Sequence, residues 1–129
     1  FEMKEALARG LASLGHGVHD LGTKNTQSVD YPDFAHALAN WMNAHRDSVG
    51  VLICGSGIGM SIAANRHAHI RAALVTAPDQ AELARKHNDA NVLCLGARII
   101  SLETAKACLA AFLNTAFEGG RHEARVKKL

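Results

Sequence analysis

Five consecutive apolar residues, Val49-Gly50-Val51-Leu52-Ile53, run straight into Cys54-Gly55-Ser56-Gly57-Ile58-Gly59. A strand without a polar face has to be buried on both sides, and the environment that supplies this is a parallel sheet covered by helices. Two further runs of the same kind follow, Ile70 to Val75 and Val92 to Leu95. Helical stretches separate them. Residues 2–14 carry Leu7, Leu11 and Leu14 at i, i+4, i+7 spacing, and Asp30-Tyr31-Pro32-Asp33 opens a helix over 33–45 with Ala35, Leu38 and Met42 on its apolar stripe. Further helices are predicted over 58–67, from Pro78 to about His87, and from Ser101, as N-cap, to about Phe117. Gly119-Gly120 breaks that last helix, and 121–128 form a short basic segment that can itself be helical. Val18 to Leu21 is a short strand candidate, followed by a polar loop from Gly22 to Ser28.

Alternating strands and helices give an α/β expectation: a three-layer αβα sandwich around a Rossmann-like parallel sheet of about five strands. With 129 residues, one domain over 1–129 is expected, 119–129 forming a C-terminal basic tail. A doubly wound domain opens with a central strand, whereas this chain opens with a helix. The expected first strand is thus absent from the chain, and a strand and turn of roughly ten residues before Phe1 would complete the pattern.

Composition removes several functions. The formal charge of +2 is too small for a nucleic-acid surface, and 5% aromatic residues leave no base-stacking platform. No apolar run approaches the roughly 20 residues of a membrane span. Three cysteines do not make a disulfide framework, so a reducing, cytoplasmic setting is expected.

Parallel α/β sheets bind ligands at the carboxyl ends of their strands, where Cys54 stands. Gly55, Gly57 and Gly59 alternate through the turn behind it, in a spacing that is neither the dinucleotide fingerprint nor a Lys-containing P-loop. The segment reads either as a tight turn without a ligand or as an anion cradle of backbone N–H groups. Cys54 precedes a helix N-terminus, which favours thiolate and suits a base or nucleophile. Cys94, in a strand, and Cys108, on a helix, read as buried apolar thiols. A thiol redox module would carry C-x-x-C, and the sequence has none.

His87-Asn88-Asp89 joins a helix to a strand, at the amino edge of the sheet, opposite Cys54. His87 is therefore either structural or part of a neighbouring subunit's site. No trusted metal-ligand spacing is found, and His67 with His69 is only a weak zinc candidate. Arg121 and Arg125, four apart, share a helix face and read as a phosphate fork or as a solvated basic tail. Arg98, just past a strand end, is a third candidate.

Together these stretches resemble the type B ribose-5-phosphate isomerase family, which includes galactose-6-phosphate and allose-6-phosphate isomerases. The resemblance is carried by Asp30-Tyr31-Pro32, by Ile53 through Asn65, by Arg85-Lys86-His87-Asn88-Asp89-Ala90-Asn91-Val92-Leu93, by Gly96-Ala97-Arg98 and by Phe117-Glu118-Gly119-Gly120-Arg121-His122. It implies a metal-free, cofactor-free aldose–ketose isomerase acting on a sugar phosphate, ribose 5-phosphate by default. The alternatives are an allose or galactose 6-phosphate isomerase and a non-catalytic sugar-phosphate-binding paralogue. By resemblance, Cys54 moves the proton between C1 and C2, and Ser56 relays a proton between the oxygens. Backbone N–H groups of Gly55, Gly57, Ile58 and Gly59 stabilise the enediolate. His87 assists ring opening beside Asn88, Tyr31 lines the site, and Arg98, Arg121 and Arg125 hold the phosphate. The family also implies a homodimer or tetramer with shared sites. Its Asp-His pair at the end of the first strand has no counterpart in this chain, which begins just after that position.

Overall fold

In chain order the elements are α1 (Glu2–Ser13), α2 (Tyr31–Ala44), β1 (Gly50–Cys54), α3 (Ile58–Asn65), β2 (Ala72–Leu74), α4 (Pro78–Asn88), β3 (Val92–Gly96), α5 (Leu102–Asn114) and α6 (Arg121–Val126). They come from a computed structural model that describes residues 1–22 and 30–129. The strands form one parallel sheet in the order β1-β3-β2, with Gly50 opposite Val92 and Cys54 opposite Gly96.

Alternation along β3 explains its unbroken apolar character. Leu93 and Leu95 enter one core with Leu7 of α1, Ala81 and Ala84 of α4, and Leu109 and Phe112 of α5. Val92 and Cys94 enter the other with Ala35, Ala39 and Met42 of α2 and with Met60, Ala63 and Ala64 of α3. All four strand side chains are fully buried. Burying a Val or Leu side chain contributes about 1.5–3 kcal/mol, so both helical layers lean on this strand. The expected αβα layering is present.

The sheet departs from expectation in size. Three strands are found among the described residues rather than about five. Val18 to Leu21 is not a strand: among the described residues it joins no strand ladder, and Val18 is exposed. It lines an apolar cleft of about 450 Å³ together with Val49 to Ile53, so open space separates it from the outer edge of β1. A strand exists by pairing, and a segment without a neighbouring edge has none of the ladder bonds that define one. The predicted loop lies, beyond Gly22, outside the described residues.

Helix ends follow local chemistry. Ser101 caps α5 by accepting the Thr104 N–H at 3.1 Å. That helix stops at Asn114 rather than Phe117, because the next residue turns extended. Thr115 donates its hydroxyl to the Ala111 carbonyl at 2.6 Å, and its own carbonyl accepts from Arg85 Nε at 3.1 Å. The basic segment is helical over α6.

The turn between α4 and β3 is built on Asp89, whose φ of 47° places it in the left-handed region. Its carboxylate pairs with Arg85 at 3.1 Å and Arg71 at 3.4 Å, and its carbonyl accepts from Arg71 Nε at 2.7 Å. Asn91 completes the corner, accepting the Arg71 N–H and donating to the His69 carbonyl. Asp89→Asn keeps a residue tolerant of this backbone and should cost about 1 kcal/mol. Asp89→Val adds β-branched strain and removes the carboxylate that both guanidinium groups share, leaving them only their backbone acceptors, for about 2–3 kcal/mol. Urea unfolding of the two variants against the parent measures the difference.

Candidate active site

The carboxyl end of the sheet gathers most of the predicted residues. Cys54 ends β1 half-buried, and the Gly57 N–H donates to its Sγ at 3.1 Å. Gly57 sits at φ +82°, which glycine adopts without strain, and a Cβ at this position would strike Leu74 Cδ1 at 2.5 Å. Ser56 Oγ accepts the Ile58 N–H at 3.2 Å, which turns the chain into α3. Ala97 N–H donates to the Cys54 carbonyl at 2.8 Å and Arg98 N–H to the Gly55 carbonyl at 2.9 Å. These bonds clamp the glycine loop onto the end of β3. The Arg98 side chain then lies along Gly55, its Cδ 3.5 Å from where a Cβ would stand. Tyr31, at the start of α2, lays its ring over Gly59, and a Cβ there would collide with Cε1, Cζ and the hydroxyl of that side chain. Cys54, Ser56, the loop N–H groups, Tyr31 and Arg98 thus share one end of the molecule.

The Cys54 sulfur thus accepts from an N–H, with the N-terminus of α3 just beyond it. The other thiols differ. Burial, reinforced by the neighbouring Cys54, pushes Cys94 up to about 12. Burial also raises Cys108, helped by the Asp79 carboxylate. Neither forms an appreciable thiolate near neutrality.

The other end of the sheet carries the remaining residues. His87 and Asn88 form the last turn of α4, just before β3 begins. β3 is five residues long, so about 15 Å of strand separates this turn from the glycine loop. α6 packs beside α4 and holds Arg121 and Arg125 exposed to solvent. Cys54 and His87 are therefore not brought together within one chain, as the topology foretold.

Two features of this second end were not legible beforehand. His122, between the two arginines, is buried and stacks on His87 with ring centroids 4.3 Å apart and planes 19° from parallel. Glu118 approaches both, so that ligand-type atoms of the three residues lie within 4.8 Å of one another. Nearly parallel imidazoles point their lone pairs side by side rather than at one centre, which suits a stack better than a metal ligand set. The available sequence signal was angular: one residue beyond Arg121 is about 100° around the helix, so an outward Arg121 turns His122 inward. At the predicted His67 and His69, the ring nitrogens are engaged with His36, at 2.7 Å, and with the Ala39 carbonyl, at 2.7 Å. Burial and the two neighbouring histidines lower the pKa of His67.

The chain is similar in sequence and fold to known proteins. Residues 1–129 match the family described as Ribose/Galactose Isomerase. Ribose-5-phosphate isomerase B of Escherichia coli is 42% identical, over 100% of this chain and 87% of its own length. A protein of Rickettsia bellii named as a putative sugar phosphate isomerase is 46% identical, over 100% of this chain and 90% of its own. Among solved structures, ribose-5-phosphate isomerase B of Mycoplasma genitalium with bound ribulose-5-phosphate superposes with a TM-score of 0.96 at 38% identity, covering 99% of this chain and 86% of that one. The chain belongs to the ribose/galactose isomerase family.

The cysteine environments give a direct expectation. In the folded protein near pH 8, iodoacetamide should label Cys54 alone within minutes. Cys94 and Cys108 should react only after unfolding. Peptide mass mapping checks it, and fast labelling of Cys94 would contradict the described burial.

Proposed function

We propose that this member of the family interconverts ribose 5-phosphate and ribulose 5-phosphate through an enediolate. The observation that carries the reading is Cys54 at the carboxyl end of β1, its sulfur facing the Gly57 N–H at the mouth of the glycine loop. The Escherichia coli relative's name and the ribulose-5-phosphate bound to the Mycoplasma genitalium structure support this substrate.

The chemistry follows from the groups present. In the open aldose, Cys54 thiolate takes the proton from C2, and the electron pair moves into the C1–C2 bond as charge develops on the C1 oxygen. Backbone N–H groups between Gly55 and Gly59 stabilise that oxyanion without reorganising. Ser56 passes a proton between the two oxygens, and the thiol returns its proton to C1. Tyr31 forms a wall of the sugar site. Arg98, Arg121 and Arg125 hold the phosphate, whose binding energy is remote from the reacting carbons and orients them. His87 assists opening of the sugar ring, with Asn88 beside it. No metal or cofactor enters the route.

Because His87 and Asn88 stand at the far end of their own sheet, they serve the site of a second copy. The reading is a homodimer, or a tetramer made of two such dimers, in which each site joins one chain's glycine loop to the other chain's α4–α6 corner. The enzyme works in the cytoplasm, where its three free thiols stay reduced.

Cys54→Ala should lower kcat on ribose 5-phosphate by about two to four orders of magnitude, the usual share of a general base, with KM changing far less. Arg121→Ala should mainly raise KM, the loss of a charged hydrogen bond being worth roughly 1.5–3 kcal/mol. Steady-state kinetics on both variants separates the two roles. Near-normal kcat in Cys54→Ala would defeat the assignment of the base.

A further inference from the structure

α6 faces two ways. Arg121 and Arg125 project into solvent, while His122 is its one buried side chain. That ring rests on His87 of α4, at the 4.3 Å stack already described. The segment leading into α6 is tied to the same turn, because the Glu118 N–H donates to the Lys86 carbonyl at 3.1 Å. The helix is short, follows Gly119-Gly120 and packs beside α4, where His122 and the Glu118 bond tie it to this corner. Any ligand that pulls on the two arginines therefore moves the surface against which the His87 ring lies.

We propose that His122 is a positioning residue that links phosphate capture by Arg121 and Arg125 to the orientation of His87 for ring opening. The inference rests on the roles given above to His87 and to the two arginines. An imidazole suits the task. Burial, His87 and the flanking arginines lower the pKa of His122 more than Glu118 raises it, so its ring stays neutral near pH 7. A neutral flat ring stacks on His87 whether His87 is charged or not, and fixes its plane without competing for the proton.

Ribose 5-phosphate is mostly a closed furanose, whereas ribulose 5-phosphate, its 5-hydroxyl esterified, cannot close a five-membered ring. Exchange of the ketose C1 proton with solvent deuterium therefore needs Cys54 but no ring opening. In His122→Ala, turnover of ribose 5-phosphate should fall about 10–100-fold, the effect of misplacing a catalytic group by about an ångström. Deuterium exchange into ribulose 5-phosphate should stay within about threefold of the parent, a change too small to reflect a lost catalytic group. His122→Phe, which keeps a flat ring on His87, should recover most of the aldose turnover. Inorganic phosphate should shift the His87 imidazole resonances by NMR in the parent and leave them in place in His122→Ala.

Three results would overturn the proposal: equal loss of both reactions in a folded His122→Ala, no recovery in a folded His122→Phe, or an undiminished phosphate-induced shift in His122→Ala. His87→Ala separates this inference from the reading beneath it. Normal aldose turnover in His87→Ala removes the ring-opening role and the link together. A slow His87→Ala beside a normal His122→Ala removes the link alone.

Discussion

Every side chain of β3 is buried, and the strand pairs in parallel with β1 on one side and β2 on the other. That strand orders the molecule. It separates the two helical layers, and it fixes that the turn entering it and the loop covering its exit lie at opposite ends. Parallel ladders permit no short return, so neither end can fold back on the other. The Asp89 corner at one end and the glycine loop at the other are both anchored to it, by the Asn91 bonds and by the Ala97 and Arg98 amides. Chemical groups placed at the two ends are thus held apart within a chain.

Three cysteines of one kind in composition become different groups in this frame. Cys94 points into the core between the sheet and α2–α3, and Cys108 lies in the core on the other face. Desolvation holds both as thiols. Cys54, at the strand's end, meets an N–H instead of a methyl group. The difference is position along a ladder rather than residue type, and it leaves one sulfur within reach of solvent.

Much of this was legible because it depends on local pattern. The apolar runs before Cys54 and around Cys94 were legible as parallel strands, but burial on both faces holds only for β3: Val51 and Ile53 leave one face of β1 half-buried, and Leu74 of β2 is exposed. Ser101 could be recognised as a cap from its residue type and position. The glycine spacing marked the loop that closes the carboxyl end of the sheet, and the topology alone parted His87 from Cys54. What escaped depends on distant partners. Val18 to Leu21 has the composition of a strand, yet pairing needs an adjacent edge, and the cleft beside β1 separates the two. Thr115 ends α5 through its own hydroxyl and a guanidinium thirty residues away. His122 looked like one more member of a basic tail until α6 was placed against α4. Local rules cannot supply such contacts, since they are set by which surfaces the core brings together.

The central claim is that one functional site takes the glycine loop from one chain and the His87 corner from another. Mixing inactive Cys54→Ala protein with inactive His87→Ala protein, allowing subunits to exchange and measuring ribose 5-phosphate turnover tests it most directly. A mixed dimer carries one site with both defects and one site with neither, and random exchange at equal amounts makes about half the dimers mixed, so about a quarter of all sites become intact. The account predicts activity well above that of either parent, rising towards about a quarter of the unmutated enzyme. Exchange confirmed by native mass spectrometry with no return of activity would contradict it.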